Sequence, residues 1–289
     1  MPIAATGDLI AEAAAQQRAV AAFNVITLEH AEAIAEGAEA AGSPVILQIS
    51  ENAVAYHRGR PRPLARAAAE VADQATVPVS LHLDHVQSTE LLHRAADCGF
   101  SSAMFDAAKL PYAENLAATR AAVLWAHERG LWLEAELGQV GGKNGEPALD
   151  AHAPGARTDP DEARSFVAAT GVDALAVAVG TSHAMISRDA VIDHALLGRL
   201  REAVPVPLVL HGSSGASDEE LARAVAAGIR KVNIGTALNI AMTGAIREQL
   251  ARDDRGVDPR RYLADGREAM ARTVARMISL LPSGRAQAA

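Results

Sequence analysis

The chain has 289 residues, 49% of them apolar and 21% charged, which excludes a disordered chain and fits one large buried core. A formal charge of −8 argues against a general nucleic-acid binder, which would carry a basic face. The single cysteine, Cys98, excludes an internal disulfide and a multi-cysteine metal site, and with no run of roughly 18 apolar residues neither a membrane span nor a membrane partner is expected.

From the N-terminus, Asp8, Glu12 and Arg18 interrupt the small apolar residues of the first thirty positions, so no secretory signal is expected. Together with the lone thiol this gives a cytoplasmic expectation. A first strand is predicted over residues 20–25. A helix then opens at Thr27-Leu28-Glu29-His30, with Thr27 as N-cap, and stops at Gly42. Strands follow at 45–50 and 77–85. Ser88-Thr89-Glu90 starts another helix and Gly99 ends it before a strand at 102–106. Gly130 precedes the fifth strand, 131–137. Gly141-Gly142-Lys143-Asn144-Gly145 then begins a long aperiodic loop, reaching to about Thr158, of the kind that often serves as a lid. Thr158-Asp159-Pro160-Asp161-Glu162 combines a cap, a first-turn proline and acids that favour the helix dipole. After Gly171 come strands at 174–180 and 207–212. Ser217-Asp218-Glu219-Glu220 caps the next helix, Gly228 ends it, and a final strand is predicted at 231–236. Residues 282–289 read as a frayed tail.

Eight strand–helix units without a linker predict an α/β fold, a single (β/α)8 TIM-barrel domain spanning 1–289. The alternative is a doubly wound open sheet, but no Gly-x-Gly-x-x-Gly follows the first strand.

In such a barrel the chemistry sits at the C-terminal ends of the strands. Those ends carry Asn24, Gln48 with Ser50, Asp84 with His85, Asp106, Glu134 with Glu136, His183, His211 and Asn233. Histidines from strands 3, 6 and 7 fit a catalytic Zn²⁺ with an open coordination position. Asp106 and Glu136 provide a second oxygen site or orient the rings. His30, His57, His93, His127, His152 and His194 fall on predicted helices or loops and are read as solvated. Strict alternation puts His82 and Asp84 on one face and His85 on the other. Both Asp84 and His85 face the site only if the chain turns after Asp84. Gly212-Ser213-Ser214-Gly215 and Asn233-Ile234-Gly235-Thr236 read as an anion cradle, because glycines admit positive φ and small side chains let backbone amides approach phosphate.

These stretches resemble a known family. Ala22-Phe23-Asn24-Val25, residues 44–50, His82-Leu83-Asp84-His85, Met104-Phe105-Asp106, Glu134-Ala135-Glu136-Leu137-Gly138, residues 174–183, 210–215 and 231–236, and Asp258-Pro259-Arg260 occur in the order seen in class II, metal-dependent ketose-bisphosphate aldolases of the fructose/tagatose-bisphosphate type. The resemblance implies reversible cleavage of a ketose bisphosphate to dihydroxyacetone phosphate and an aldehyde such as glyceraldehyde 3-phosphate. It assigns His85, His183 and His211 to the catalytic zinc and Asp106 and Glu136 to an alternative or second metal position. Asp84 becomes the proton donor and acceptor at the scissile bond. Asn24, Ser50, Ala184, Gly212, Ser213, Ser214, Asn233, Ile234, Gly235 and Thr236 would bind substrate, and a monovalent cation is compatible with the site. Arg260 would reach a neighbouring subunit's site, which implies a homodimer or homotetramer.

The sequence departs from the family pattern in three places. Lys143 and Asn144 stand where an acid usually exchanges the proton of the enediolate, and Glu146 is the next candidate. Ala184 replaces a glycine, and Ala237 stands where an acid is common. Three further readings stay open at this stage: another phosphorylated keto-sugar or keto-acid as substrate, a zinc-dependent barrel hydrolase, and a non-catalytic sugar-phosphate binder.

Overall fold

The computed structural model describes residues 3–138, 140, 156–183 and 185–281. Three expectations lie outside these residues: Glu146 with its loop, Ala184, and the tail 282–289.

Eight strands pair in parallel and close in chain order: β1 (Val20–Asn24), β2 (Val45–Ser50), β3 (Val79–Val86), β4 (Ser102–Phe105), β5 (Trp132–Leu137), β6 (Ala174–Val177), β7 (Leu208–Leu210) and β8 (Ile229–Ile234). This is the predicted (β/α)8 barrel. Around it run α1 (Thr6–Ala15), α2 (Leu28–Ala41), α3 (Glu51–Tyr56), α4 (Pro61–Gln74), α5 (Thr89–Leu92), α6 (Ala95–Cys98), α7 (Tyr112–His127), α8 (Pro160–Thr170), α9 (His194–Ala203), α10 (Asp218–Ala227), α11 (Thr236–Arg252) and α12 (Pro259–Ser279).

The helix boundaries follow local chemistry. Ser88, Asp159 and Ser217 accept backbone N–H groups at the starts of α5, α8 and α10. Thr27 occupies the N-cap of α2, but its hydroxyl donates to Glu29 Oε2 at 2.6 Å instead of capping an amide. Gly42 and Gly171 end α2 and α8 in the left-handed conformation that a Cβ disfavours.

Strand parity divides the core into two environments. On β3, Leu81 and Leu83 face outward into the apolar layer beneath the helices, while Ser80, His82 and Asp84 alternate with them and are buried. Register pairs Gln48 with His82 and Ser50 with Asp84. The floor of the barrel is apolar: Leu9, Ile10 and Ala13 of α1 pack on Val20, Ala22 and Ile46. Above that floor the interior is lined by Gln48, His82, Glu134, Lys231 and Asn233, all buried. Apolar side chains outside and polar ones inside thus place the hydrophilic groups at one end of a sealed cylinder.

Several boundaries differ from the sequence reading. β6 and β7 are shorter than predicted, β8 begins two residues earlier, and Thr236 opens α11 instead of ending β8. His30 is not solvated; it lies 3% exposed in the first turn of α2, with Nδ1 paired to Thr27 Oγ1 at 3.1 Å. His57 and His194 are partly buried, their rings bonded to Ile26 O and to Glu220. His93 and His127 are exposed as expected, and His152 lies outside the described residues.

Candidate active site

The strand ends on one side of the barrel surround a single pocket. Asn24, Asp84, His85, His183, Gly212, Ser214, Asn233, Gly235 and Thr236, all candidates from the sequence, line it.

The alternation problem at His85 has a specific answer. The strand does not end after Asp84; it continues to Val86. His85 instead adopts φ +50°, a left-handed conformation uncommon for a residue with a Cβ, and the pairing with β4 shifts between Leu83 and Val86. Such a bulge re-aims one side chain without breaking the strand. Two consecutive residues therefore present their side chains to the same pocket.

His85, His183 and His211 pack as a cluster, with ring centroids 4.7, 4.9 and 5.7 Å apart. Ligand atoms of these three and of Glu136 all lie within 4.8 Å of one another. His85 Nε2 is buried without a hydrogen-bond partner in the protein, while its Nδ1 is fixed by Asp106 Oδ2 at 3.1 Å. Three imidazoles with one carboxylate are a donor set suited to a divalent transition metal, and an orphaned, pre-oriented imidazole nitrogen fits it. Asp106 falls outside this ligand group; it holds the His85 ring.

His211 is fully buried between two carboxylates, Nδ1 to Glu136 Oε2 and Nε2 to Glu134 Oε1, both 2.9 Å. Burial alone would lower its pKa, but the hydrogen bonds to Glu134 and Glu136 outweigh this and raise it to about 9. Asp84 is opposed in the same way. Burial raises its pKa, yet electrostatic interactions with His85 and Lys231 prevail and hold it below the usual carboxylate range. Asn233 Nδ2 donates to Asp84 Oδ1 at 3.3 Å. His82 lies 3.9 Å from the same oxygen. Burial and the neighbouring Lys231 drive it down to about 3, so it is neutral.

The cradle adjoins the histidines, Gly212 following His211 directly. Gly212 has φ +65°, and a Cβ there would stand 2.5 Å from Ser182 O, so a glycine is required on two counts. The turn is tied down by Ser213 Oγ donating to Asn233 O, by Thr181 Oγ1 donating to His211 O at 2.6 Å, and by the Ala237 amide donating to Ser214 Oγ. α11 starts at Thr236 on the pocket wall, and the N-terminus of such a helix attracts anions.

Other predicted residues lie elsewhere. Ser50 accepts the Ala53 amide at the start of α3 and does not line the pocket. Ile234 packs its side chain into the apolar layer, and Ser213 is buried. Arg260 stands on the surface, paired with Asp258 at 2.7 Å. The pocket also uses Ile26, Ser182 and Asn239, which were not selected from the sequence, and Gln48, which was named there as a strand-end group without a role. Gln48 pairs in register with Asn24. Asn239 follows Thr236 by three residues on a helix and so shares its face.

The sequence profile of the family described as fructose-bisphosphate aldolase class-II matches residues 4–285. The chain belongs to this family. It is therefore an aldolase, a carbon–carbon lyase of a generally metal-dependent class. Among solved structures, this class II aldolase is similar to the YdjI aldolase from Escherichia coli K12, with 34% identity over 99% of this chain and 100% of that one, at a TM-score of 0.84. Fructose-bisphosphate aldolase (Fba) from Campylobacter jejuni shares the fold at 23% identity, a TM-score of 0.82, and coverage of 96% of this chain and 94% of that one. No helix among the described residues is long and apolar enough to cross a membrane.

Proposed function

We propose that this aldolase reversibly cleaves fructose 1,6-bisphosphate or tagatose 1,6-bisphosphate to dihydroxyacetone phosphate and glyceraldehyde 3-phosphate, with zinc as its metal. The observation that carries the reading is the convergence of His85, His183 and Asp84 on one pocket, with His211 buried in the same ligand group and a glycine-serine cradle at a helix N-terminus beside them.

Zinc bound there would act as a Lewis acid toward the oxygens at the carbonyl end of the ketose. His85, His183 and His211 would hold it, and Glu136, within the same group, would supply an alternative or additional ligand. Asp84, ionised at neutral pH, takes the hydroxyl proton next to the scissile bond and returns it in condensation. Asn233 keeps that carboxylate in place. The backbone of Gly212–Ser214 and the start of α11 hold the phosphate of the dihydroxyacetone half, fixing the reacting atoms relative to Asp84. Gln48 Oε1, Ser182 Oγ and Asn233 Oδ1 line the pocket as buried polar atoms without a protein hydrogen-bond partner, which suits a polyhydroxylated ligand. Glu146 is proposed for the second proton transfer, and Arg260, turned outward on its own subunit, for the distal phosphate of a neighbouring subunit in a homodimer or homotetramer. A cytoplasmic location fits this chemistry.

A panel of ketose bisphosphates and related phosphorylated keto-sugars and keto-acids tests the reading. Dihydroxyacetone phosphate should appear with one or more of them. Release of inorganic phosphate in its place, or no turnover, overturns it.

Zinc affinity should depend on pH through His211. Below about 9 the ring carries a proton that the ion must displace, so affinity should rise from pH 6.5 to about 9 and then level. In the metal-free protein the same raised pKa contributes stability that is complete below about 6.5 and lost as pH rises through about 9. Calorimetry at pH 7.5 in buffers of different ionisation enthalpy should show proton release on zinc binding; none would contradict this assignment.

A further inference from the structure

Two fully buried charged residues lie outside the ligand group and the pocket lining. Lys231 on β8 and Glu134 on β5 are each 0% exposed, and Lys231 Nζ lies 2.7 Å from Glu134 Oε2. The second oxygen of Glu134 sits 2.9 Å from His211 Nε2. Glu134 and Glu136 are two residues apart on one strand, so both point into the barrel and grip the His211 ring from opposite edges. Only Glu136 belongs to the converging ligand group. The Nδ1 edge of the ring therefore faces the metal position, and the Nε2 edge faces Glu134.

From this geometry we propose that Glu134 is a positioning residue for the metal ligand His211, itself set by Lys231. By accepting the Nε2–H, Glu134 fixes the tautomer whose Nδ1 lone pair is aimed at the site, as outer-shell carboxylates do for metal-bound histidines. Lys231 occupies the other oxygen and supplies the charge that keeps a buried carboxylate ionised next to the ring. The proposal rests on the metal-site reading above.

The test uses Glu134→Gln first. Lys231 and His211 are held by different oxygens of Glu134, and glutamine has an oxygen in only one of those two positions; its NH2 in the other would face a second donor. Zinc affinity, measured on metal-stripped full-length protein by chelator competition, should fall about 10–100-fold. The visible absorption band of the Co²⁺-substituted protein should shift as well. Because an unpaired buried lysine can prevent folding, two charge-neutral double variants carry the same question. K231M/E134Q keeps one oxygen for His211, whereas K231M/E134M keeps none. The first should bind zinc at least about 10-fold more tightly than the second. Equal affinities and identical cobalt spectra in the two would mean that the pair is a core ion pair only, and would overturn the proposal. If the wild-type protein bound no zinc, the metal-site reading itself would fail, and that outcome is distinct from the first.

Discussion

Exhaustive chelation should abolish carbon–carbon cleavage, and added zinc should restore it. The expected loss exceeds about 1,000-fold, because Lewis-acid stabilisation of the developing charge is worth several kcal/mol and each 1.36 kcal/mol is about tenfold in rate. The reason lies in what the pocket otherwise offers. Asp84 is held as a base, and the cradle can bind phosphate, but the groups facing the carbonyl end are imidazoles. The positive charge of His211 in the metal-free protein is already engaged by two carboxylates. Without the ion, no free electrophile among the described pocket residues opposes the growing negative charge. The measurement is turnover against metal content per chain. Cleavage that persists unchanged in protein with negligible metal would eliminate the metal-dependent reading while leaving the fold untouched.

Asp84→Ala should lower kcat by about 100- to 10,000-fold, the range expected for loss of a positioned proton-transfer group. Metal content should remain at the wild-type level. Asp84 lies outside the ligand group, and its nearer oxygen is 3.9 Å from His85 Nε2, so removing it breaks no coordinating contact. Asp84→Asn sharpens the test because it preserves volume and a partner for Asn233 but cannot take up a proton. Both variants should bind dihydroxyacetone phosphate through the intact cradle. Equal loss of zinc and of activity would recast Asp84 as a support for His85. Near-normal turnover would remove it from the chemistry altogether.

Much of this site was legible because barrel strands deliver their ends to one mouth. Asn24, Asp84, His183 and Asn233 could be placed by asking which polar residue closes each strand, and all four line the pocket. The same reasoning included Ser50, which caps α3 instead, because a serine after a strand serves equally well as a helix cap. It treated His30 as solvated, although a histidine in the first turn of a helix packed against the barrel can be turned inward. Asp106 was read as either an oxygen ligand or a group that orients a ring; the structure places it against the His85 ring. Residue type and position cannot separate these two roles when both require a carboxylate a few ångströms from the metal.

The sequence by itself determined the barrel, through short apolar strands and capped helices whose signals act over a few residues. It also pointed to three histidines at or just beyond the predicted ends of three different strands. Two things came only from tertiary structure. One is the bulge that turns His85 onto the same side as Asp84, a backbone conformation enforced by pairing with β4 and contrary to local preference. The other is the Lys231–Glu134–His211 chain, whose members lie on β8, on β5 and just after β7, with Lys231 and Glu134 97 residues apart. Burial makes such charges depend on one another for their ionisation and orientation, and closure of the barrel brings them together.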